Sequence, residues 1–148
     1  MFEPIGFVKV DVTEKVDENW GEAVSEIVVN NDLAEGLNGL ADFSHAMILY
    51  HLNEANFVKE KHLQRRPQGR SDMPMVGIFA QRAKDRPNSI GVTTVKILSV
   101  QQNAVRVQGL DAINGTPVLD IKPYYPHYDL KEDAAVPDWV HVLMEHYF

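Results

Sequence analysis

The chain of 148 residues contains no cysteine, which excludes a disulfide framework and thiolate chemistry. The absence also fits the reducing cytoplasm. No apolar run reaches the roughly 20 residues that a membrane-spanning helix needs. The first residues, MFEPIGFVKVDV, lack the basic and apolar regions of a signal peptide. We therefore expect a cytoplasmic protein without membrane contact, folded as one domain over residues 1–148.

Several catalytic and ligand-binding motifs are missing as well. Neither GxGxxG nor GxxxxGK(S/T) occurs, so a Rossmann domain or a P-loop is not expected. No serine lies in a GxSxG setting, which argues against acyl-enzyme chemistry. The six histidines show no metal-ligand spacing, and His141 and His146 are five positions apart rather than four. We expect no metal site, and any nucleotide-like ligand must be bound in another way.

Charge is unevenly distributed along the chain. The net charge of -7 argues against general, non-specific binding of nucleic acid. Residues 59–86, in contrast, contain eight bases and three acids, a balance of +5 that leaves -12 for the remainder. A basic segment on an acidic protein indicates a local anion site. The alternative is a solvated surface loop.

Short apolar segments separated by turns predict a mainly β fold. The strand candidates are residues 3–12, 25–30, 43–52, 76–79, 90–100, 105–107 and 118–121. Residues 59–72 are polar and interrupted by proline and glycine, which predicts a loop. Residues 138–147 follow Pro137 and place apolar side chains four apart, which predicts a short C-terminal helix. This pattern favours an antiparallel barrel or sandwich.

Two groups of side chains are candidates for ligand binding. Arg82 follows the apolar run GIFA, and its guanidinium could bind a carboxylate or phosphate. The alternative is a salt bridge to Asp85 or Asp111. A second group lies in one short loop and consists of Asp111, Asn114, Gly115 and Thr116. Its polar groups could bind a ribose or an ammonium, and the alternative is a hairpin turn without a ligand.

Aromatic and acid–base candidates lie elsewhere in the sequence. Tyr124, Tyr125 and Tyr128 stand beside basic residues, where they could stack on nucleobases or form an interface. Asp120 and His45 are candidates for a catalytic base. His45 lies in an apolar run, so a hydrogen-bonded core histidine is the alternative interpretation.

Four blocks of this sequence resemble one known family. GIFAQRAKDRPNSIGVTTVKI resembles the pattern GxFAxRSxxRPNPIG, and GLDAINGTPVLDIKPYYPHYD resembles xxDxxDGTPxxDIKPYxP. Upstream, EPIGFVK and LNGLADFSHAMIL resemble the family's opening blocks. The chain is similar to the TsaA-like family, also called YaeB or TrmO. The resemblance implies a small single-sheet antiparallel β-barrel that forms homodimers and binds S-adenosylmethionine. It also implies methylation of N6-threonylcarbamoyladenosine beside the tRNA anticodon.

The resemblance also assigns residues, block by block. The family's cofactor contacts fall on these positions: Trp20, Leu52, Asn53, Arg82, Thr94, Asp111, Asn114, Gly115 and Thr116. The basic segment would bind the phosphates of the anticodon stem-loop, with these candidate substrate contacts: Arg65, Arg66, Arg70, Arg86 and, outside the segment, Tyr124.

This sequence departs from the family pattern in several places. The family's Pro-x-Gln element is missing from the first loop, which reads DENWG. Asn114 replaces an aspartate, and Ser89 replaces a proline. Leu52 and Asn53 replace an aromatic–histidine pair. A barrel that binds S-adenosylmethionine with another methyl acceptor, or without catalysis, is therefore the alternative function.

Overall fold

The computed structural model describes residues 1–10 and 18–148 and contains eight strands in those ranges. The strands are β1 (Gly6–Lys9), β2 (Val24–Val29), β3 (His45–His51), β4 (Gln64–Arg65), β5 (Val76–Gly77), β6 (Ile90–Gln101), β7 (Ala104–Gln108) and β8 (Pro117–Pro123). Six of them close into one antiparallel barrel in the order β1-β2-β7-β6-β3-β8, while β4 and β5 form a separate pair. The prediction of a mainly β fold is confirmed. Because the six strands form a closed ring, the fold is a barrel rather than a sandwich.

Alternation of side chains along the strands builds the core inside the barrel. On β3, Ala46, Ile48 and Tyr50 are buried, whereas Met47 and Leu49 point outward. The same alternation on the other strands encloses a core dominated by valine and isoleucine. An extra residue, Leu98, interrupts the pairing of β6 with β7. Such a bulge bends and twists a strand, which helps a long strand to follow a closed barrel.

The helices are short. The α-helices are α1 (Lys59–His62), α2 (Pro126–Asp129) and α3 (Asp138–Leu143), and the 3-10 helices are Trp20–Glu22, Asn31–Leu37, Leu40–Asp42, Pro67–Gly69 and Ile78–Ala80. The predicted C-terminal helix is confirmed, although it ends at Leu143 rather than at residue 147. In the described ranges, no helix combines the length and the apolar character needed to cross a bilayer.

Two predictions about local structure were wrong. Residues 59–72 are not one loop, because they contain α1 and the strand β4. The strand predicted over 76–79 is only two residues long, and a 3-10 helix follows it directly. The pairing of β4 with β5 joins segments that do not adjoin in the sequence, and elements of two to four residues are too short to show a period. The prediction for residues 3–12 extends beyond the described residues at positions 11 and 12.

Candidate functional site

The segment between β7 and β8 crosses one end of the barrel. These two strands occupy opposite positions in the six-stranded ring, so the connecting residues 109–116 must pass over the opening. Gly109 begins the crossing with a φ of +99°, and its N–H donates to the Ala23 carbonyl at 2.8 Å. Leu110 and Ala112 pack into the core. The crossing carries Asp111, which lies between them, into the protein interior.

Asp111 is the centre of a buried hydrogen-bond network. Its carboxylate accepts hydrogen bonds from the Tyr50 hydroxyl at 2.6 Å and from the hydroxyls of Thr93 and Tyr147. Only 9% of the Asp111 surface is exposed. Burial, followed by the negative charge of Asp111, raises the pKa of Tyr50 above its ordinary value. The carboxylate predicted to bind a ribose or an ammonium is thus already satisfied by three protein hydroxyls.

The remaining polar residues of the crossing segment are bonded to the backbone. The Asn114 side-chain oxygen accepts from the Val10 N–H at 3.0 Å, and the Gly115 N–H donates to the Val8 carbonyl at 2.8 Å. The Thr116 hydroxyl donates to the Ile113 carbonyl at 2.8 Å. Asn114 and Gly115 form the tight turn that an Asn-Gly pair favours, with a φ of +87° at Gly115. It is not a hairpin turn, because β7 and β8 are not neighbours.

Leu52, Asn53 and Trp20 lie at the same end of the barrel. Leu52 and Asn53 follow the last residue of β3, and a cavity of about 30 Å³ separates them from Asp111 and Thr116. A cavity of that size holds about one water molecule. Trp20 is buried, and its backbone N–H donates to the Tyr147 carbonyl at 2.7 Å. The C-terminal residues therefore close part of this end.

Arg82 connects the barrel end with the outer face of the barrel. β6 extends past the end of β7, and in that section the Arg82 Nη2 donates to the Val92 carbonyl at 2.9 Å. Val92 is two positions before Thr94, a separation of about 7 Å along a strand. Among the described residues, Arg82 forms no ion pair with Asp85 or Asp111. Its exposed guanidinium keeps donors that can bind an anion.

The outer face of β3, β6 and β8 carries a groove of about 500 Å³. It is lined by His45, Met47, Thr94, Tyr124 and Asp129. This volume lies in the usual range of about 300–1,000 Å³ for small-molecule sites. His45 is exposed, and its Nδ1 lies 2.6 Å from the Ser44 hydroxyl oxygen. The interpretation of His45 as a core histidine was therefore wrong, because its strand position points outward.

Asp120 lies on the same outer face but outside the groove. It is paired in register with Leu49, and its carboxylate lies 3.0 Å from the Lys122 Nζ. The structure thus brings Thr94, His45 and Tyr124 together around one groove. Asp120 does not line this groove, because it lies opposite Leu49 rather than opposite Met47.

The four arginines predicted to contact substrate all have partners within the protein. Arg70 forms two hydrogen bonds with Asp72, at 3.0 and 2.7 Å, and Arg65 lies 3.7 Å from the Asp85 carboxylate. Arg66 donates to the Met73 carbonyl. The Nη1 of Arg86 donates to the carbonyls of Gln81 and Ala83, each at 3.0 Å. Arg66 and Arg86 keep an uncompensated positive charge, because their carbonyl partners have no net charge.

Sequence reasoning missed the partners of Asp111. Tyr50 and Thr93 lie within strands, and Tyr147 was assigned to the face of a helix. A tyrosine inside an apolar strand is a usable signal, since a buried phenol normally has a hydrogen-bond partner. In the part of the chain that the structure describes, no group of three or more potential metal ligands is found.

Comparisons with known proteins agree with this architecture. An S-adenosyl-L-methionine-binding protein of Archaeoglobus fulgidus is 36% identical over 133 residues, which cover 87% of this chain and 92% of that protein. The tRNA (adenine(37)-N6)-methyltransferase of Homo sapiens is 37% identical over 107 residues, which cover 72% of this chain and 24% of that protein.

A crystal structure of TrmO from Pseudomonas aeruginosa is similar with a TM-score of 0.76 and 29% identity. The match covers 94% of this chain, which spans 61% of that TrmO chain. The family model for the tRNA-methyltransferase O N-terminal domain matches residues 16–130, more than half of the sequence. The protein therefore belongs to the family of the tRNA-methyltransferase O N-terminal domain.

Proposed function

We propose that this protein is an S-adenosylmethionine-dependent methyltransferase that modifies N6-threonylcarbamoyladenosine beside the tRNA anticodon. It acts as a cytoplasmic homodimer of a single-domain chain. The observation that carries the proposal is the position of Arg82, whose exposed guanidinium lies between the barrel end and the outer groove. The names of the archaeal and human relatives support the cofactor and the tRNA substrate.

The residues at this place fit the chemistry of the cofactor. The guanidinium of Arg82 would bind its carboxylate, and the exposed Asn53 carboxamide and Thr94 hydroxyl offer further hydrogen bonds. The cavity of about 30 Å³ beside Leu52 is far too small for the whole molecule. The cofactor would therefore lie on the rim and reach toward the outer groove. The buried Asp111 and Thr116 would shape this rim without contacting the ligand.

The chemical demands on the chain are then alignment and proton removal. Bound S-adenosylmethionine supplies a methyl group that is already activated by its positive sulfur. Alignment of two reactants can lower a barrier by up to about 7–11 kcal/mol. The acceptor N–H must also lose a proton, and a base within hydrogen-bond reach would accept it. We propose His45 for this role over Asp120, because His45 lines the groove with Thr94, whereas Asp120 is ion-paired with Lys122.

A second function is favoured by one observation. The archaeal relative, which this chain covers over 92% of its length, is described only as a binding protein. The chain would then bind S-adenosylmethionine and either methylate another acceptor or act without catalysis.

Two measurements test the proposal. Calorimetric titration with S-adenosylmethionine should give saturable heat, and its absence would exclude both functions. Mass spectrometry of nucleosides from tRNA carrying N6-threonylcarbamoyladenosine should show one added methyl after incubation with protein and cofactor. Binding without a methylated nucleoside would leave only the second function.

Arg82→Ala tests the assignment of the cofactor site. Loss of a hydrogen bond between charged groups, about 1.5–3 kcal/mol, should weaken S-adenosylmethionine binding about 10- to 150-fold. Arg106→Ala is the matched control, since Arg106 is exposed on β7, paired in register with β2, and should leave affinity unchanged. Equal affinities for wild type and Arg82→Ala, with native melting behaviour, would show that the cofactor binds elsewhere.

A further inference from the structure

Phe79 is a large aromatic side chain that projects from a rigid part of the structure. It is 79% exposed, although its neighbours in the 3-10 helix include the buried Ile78. The side-chain Nε2 of Gln81 donates to the backbone carbonyls of Arg65, Val76 and Gly77 at 3.2, 3.1 and 3.4 Å. These bonds fix the backbone on the C-terminal side of Phe79. The exposure of its ring is therefore built into the fold.

Two further bonds hold the segment, one on each side of Phe79. The Ile78 N–H donates to the Leu63 carbonyl at 2.9 Å, which attaches the 3-10 helix to the residue before β4. Arg86 binds the Gln81 carbonyl, as described above. Phe79 is thus held with little backbone freedom. A preorganised aromatic ring loses little entropy when a flat partner stacks on it.

The segment of residues 59–86, which contains Phe79, carries more cations than acids. Arg66 and Arg86 donate to carbonyls, so their charges remain. Lys59, Lys61 and Lys84 are exposed, and none of them has an ion pair among the described residues. Of the three acids in this segment, Asp72 and Asp85 are already paired with arginines, and Glu60 is exposed. The segment therefore combines a net positive charge with one strongly exposed aromatic ring.

We propose that Phe79 is a stacking platform for an unpaired base of a single-stranded RNA loop, with the cations of this segment binding its phosphates. Aromatic rings beside cations are the common means of binding unstacked bases. A second copy of this chain is a poorer occupant, because a two-fold interface would place this basic segment against itself. The proposal rests on the proposed function, since it specifies how the tRNA substrate is recognised. It assigns the contact to Phe79 rather than to the paired Arg65 and Arg70.

The test is the affinity of the 148-residue protein for a fluorescently labelled anticodon stem-loop RNA, measured by anisotropy. Loss of one stacked base, about 1–3 kcal/mol, should weaken binding of Phe79→Ala about 5- to 150-fold. Phe79→Trp should retain the affinity of the wild type. Phe2→Ala is the matched control, because Phe2 is 80% exposed and lies before β1, at the opposite end of the barrel from the crossing segment. A fully paired RNA duplex should bind wild type and Phe79→Ala equally.

Two outcomes would overturn the inference. One is an unchanged affinity of Phe79→Ala for the stem-loop. The other is a change in the sedimentation coefficient of Phe79→Ala, which would assign the ring to an interface between copies. Because the assay measures binding alone, Phe79-dependent affinity without methyl transfer would refute the proposed reaction but not the platform. Methyl transfer by the wild type, together with unaltered RNA binding by Phe79→Ala, would refute the platform but not the proposed reaction.

Discussion

Replacement of Tyr50 by phenylalanine removes one hydroxyl from the interior of the barrel. That hydroxyl donates to Asp111 at 2.6 Å and lies 2.9 Å from the Thr93 hydroxyl oxygen. Water does not easily replace it, because only 2% of Tyr50 and 9% of Asp111 are exposed. A hydrogen bond to a charged group contributes about 1.5–3 kcal/mol. We expect the free energy of unfolding to fall by that amount in Tyr50→Phe.

The same substitution has a characteristic dependence on pH. Burial and the charge of Asp111 raise the pKa of Tyr50, so the folded protein keeps the phenol protonated where the unfolded chain ionises. The unfolded phenol loses its proton near pH ~10. Above that value the folded state binds more protons, and stability falls by about 1.4 kcal/mol per pH unit. Below it the contribution is fully present. Phenylalanine cannot ionise, so Tyr50→Phe lacks this dependence of stability on pH.

Urea unfolding at pH about 8 and about 11 measures both the loss of stability and its dependence on pH. The slopes of free energy against urea concentration should agree between the proteins if they expose equal surface on unfolding. The stability difference between wild type and Tyr50→Phe should be largest at the lower pH and shrink at the higher. Tyr128→Phe is the control, because Tyr128 is 77% exposed and its hydroxyl should contribute nothing measurable. A loss below about 0.5 kcal/mol, the usual range of surface substitutions, would refute the network. A difference that is constant with pH would refute the protonation argument.

Two further predictions concern the same end of the barrel. In Gly91→Ala the new Cβ would lie 2.6 Å from the Tyr50 Cζ, so we expect denaturation to show a free energy of unfolding lower by about 1–3 kcal/mol. Gly36→Ala is the control and should show no such loss, because a Cβ there meets no atom within 4 Å. In Tyr147→Phe, Asp111 loses one donor, and hydrogen exchange at the C-terminal amides should accelerate. Unaltered exchange there would show that other contacts hold the C-terminal residues.

The barrel strands could be predicted because burial inside a barrel imposes a two-residue period. β7 shows this in its sequence, where the buried Val105 and Val107 alternate with the polar Arg106 and Gln108. The tight turn at Asn114-Gly115 was predictable for a local reason, since glycine readily adopts the required positive φ. The closure of the sheet was not visible in any single segment. Pairing of β1 with β8 joins residues more than a hundred positions apart, so no local pattern shows it. The expectation of a barrel came from the family resemblance instead.

The candidate site was predictable in its residues but not in their roles. Asp111 and Tyr50 are separated by 61 positions, and Asp111 and Tyr147 by 36. No local pattern shows that these side chains meet. Arg86 was expected to face a phosphate because basic residues cluster around it, yet its guanidinium is directed to backbone carbonyls. Charge along the sequence indicates the presence of cations, whereas their partners depend on tertiary proximity.

The burial of Asp111 determines how the family-matched residues divide into two roles. The crossing segment must span the barrel end, and its polar carboxylate enters the interior only because three hydroxyls satisfy it. A residue with all these bonds in place contributes to a ligand site by holding the shape of its rim. Asn53, Arg82 and Thr94 are exposed and can still form new bonds. Substitutions that break the Asp111 network should therefore lower stability and cofactor affinity together. Arg82→Ala, in contrast, should lower cofactor affinity with little loss of stability.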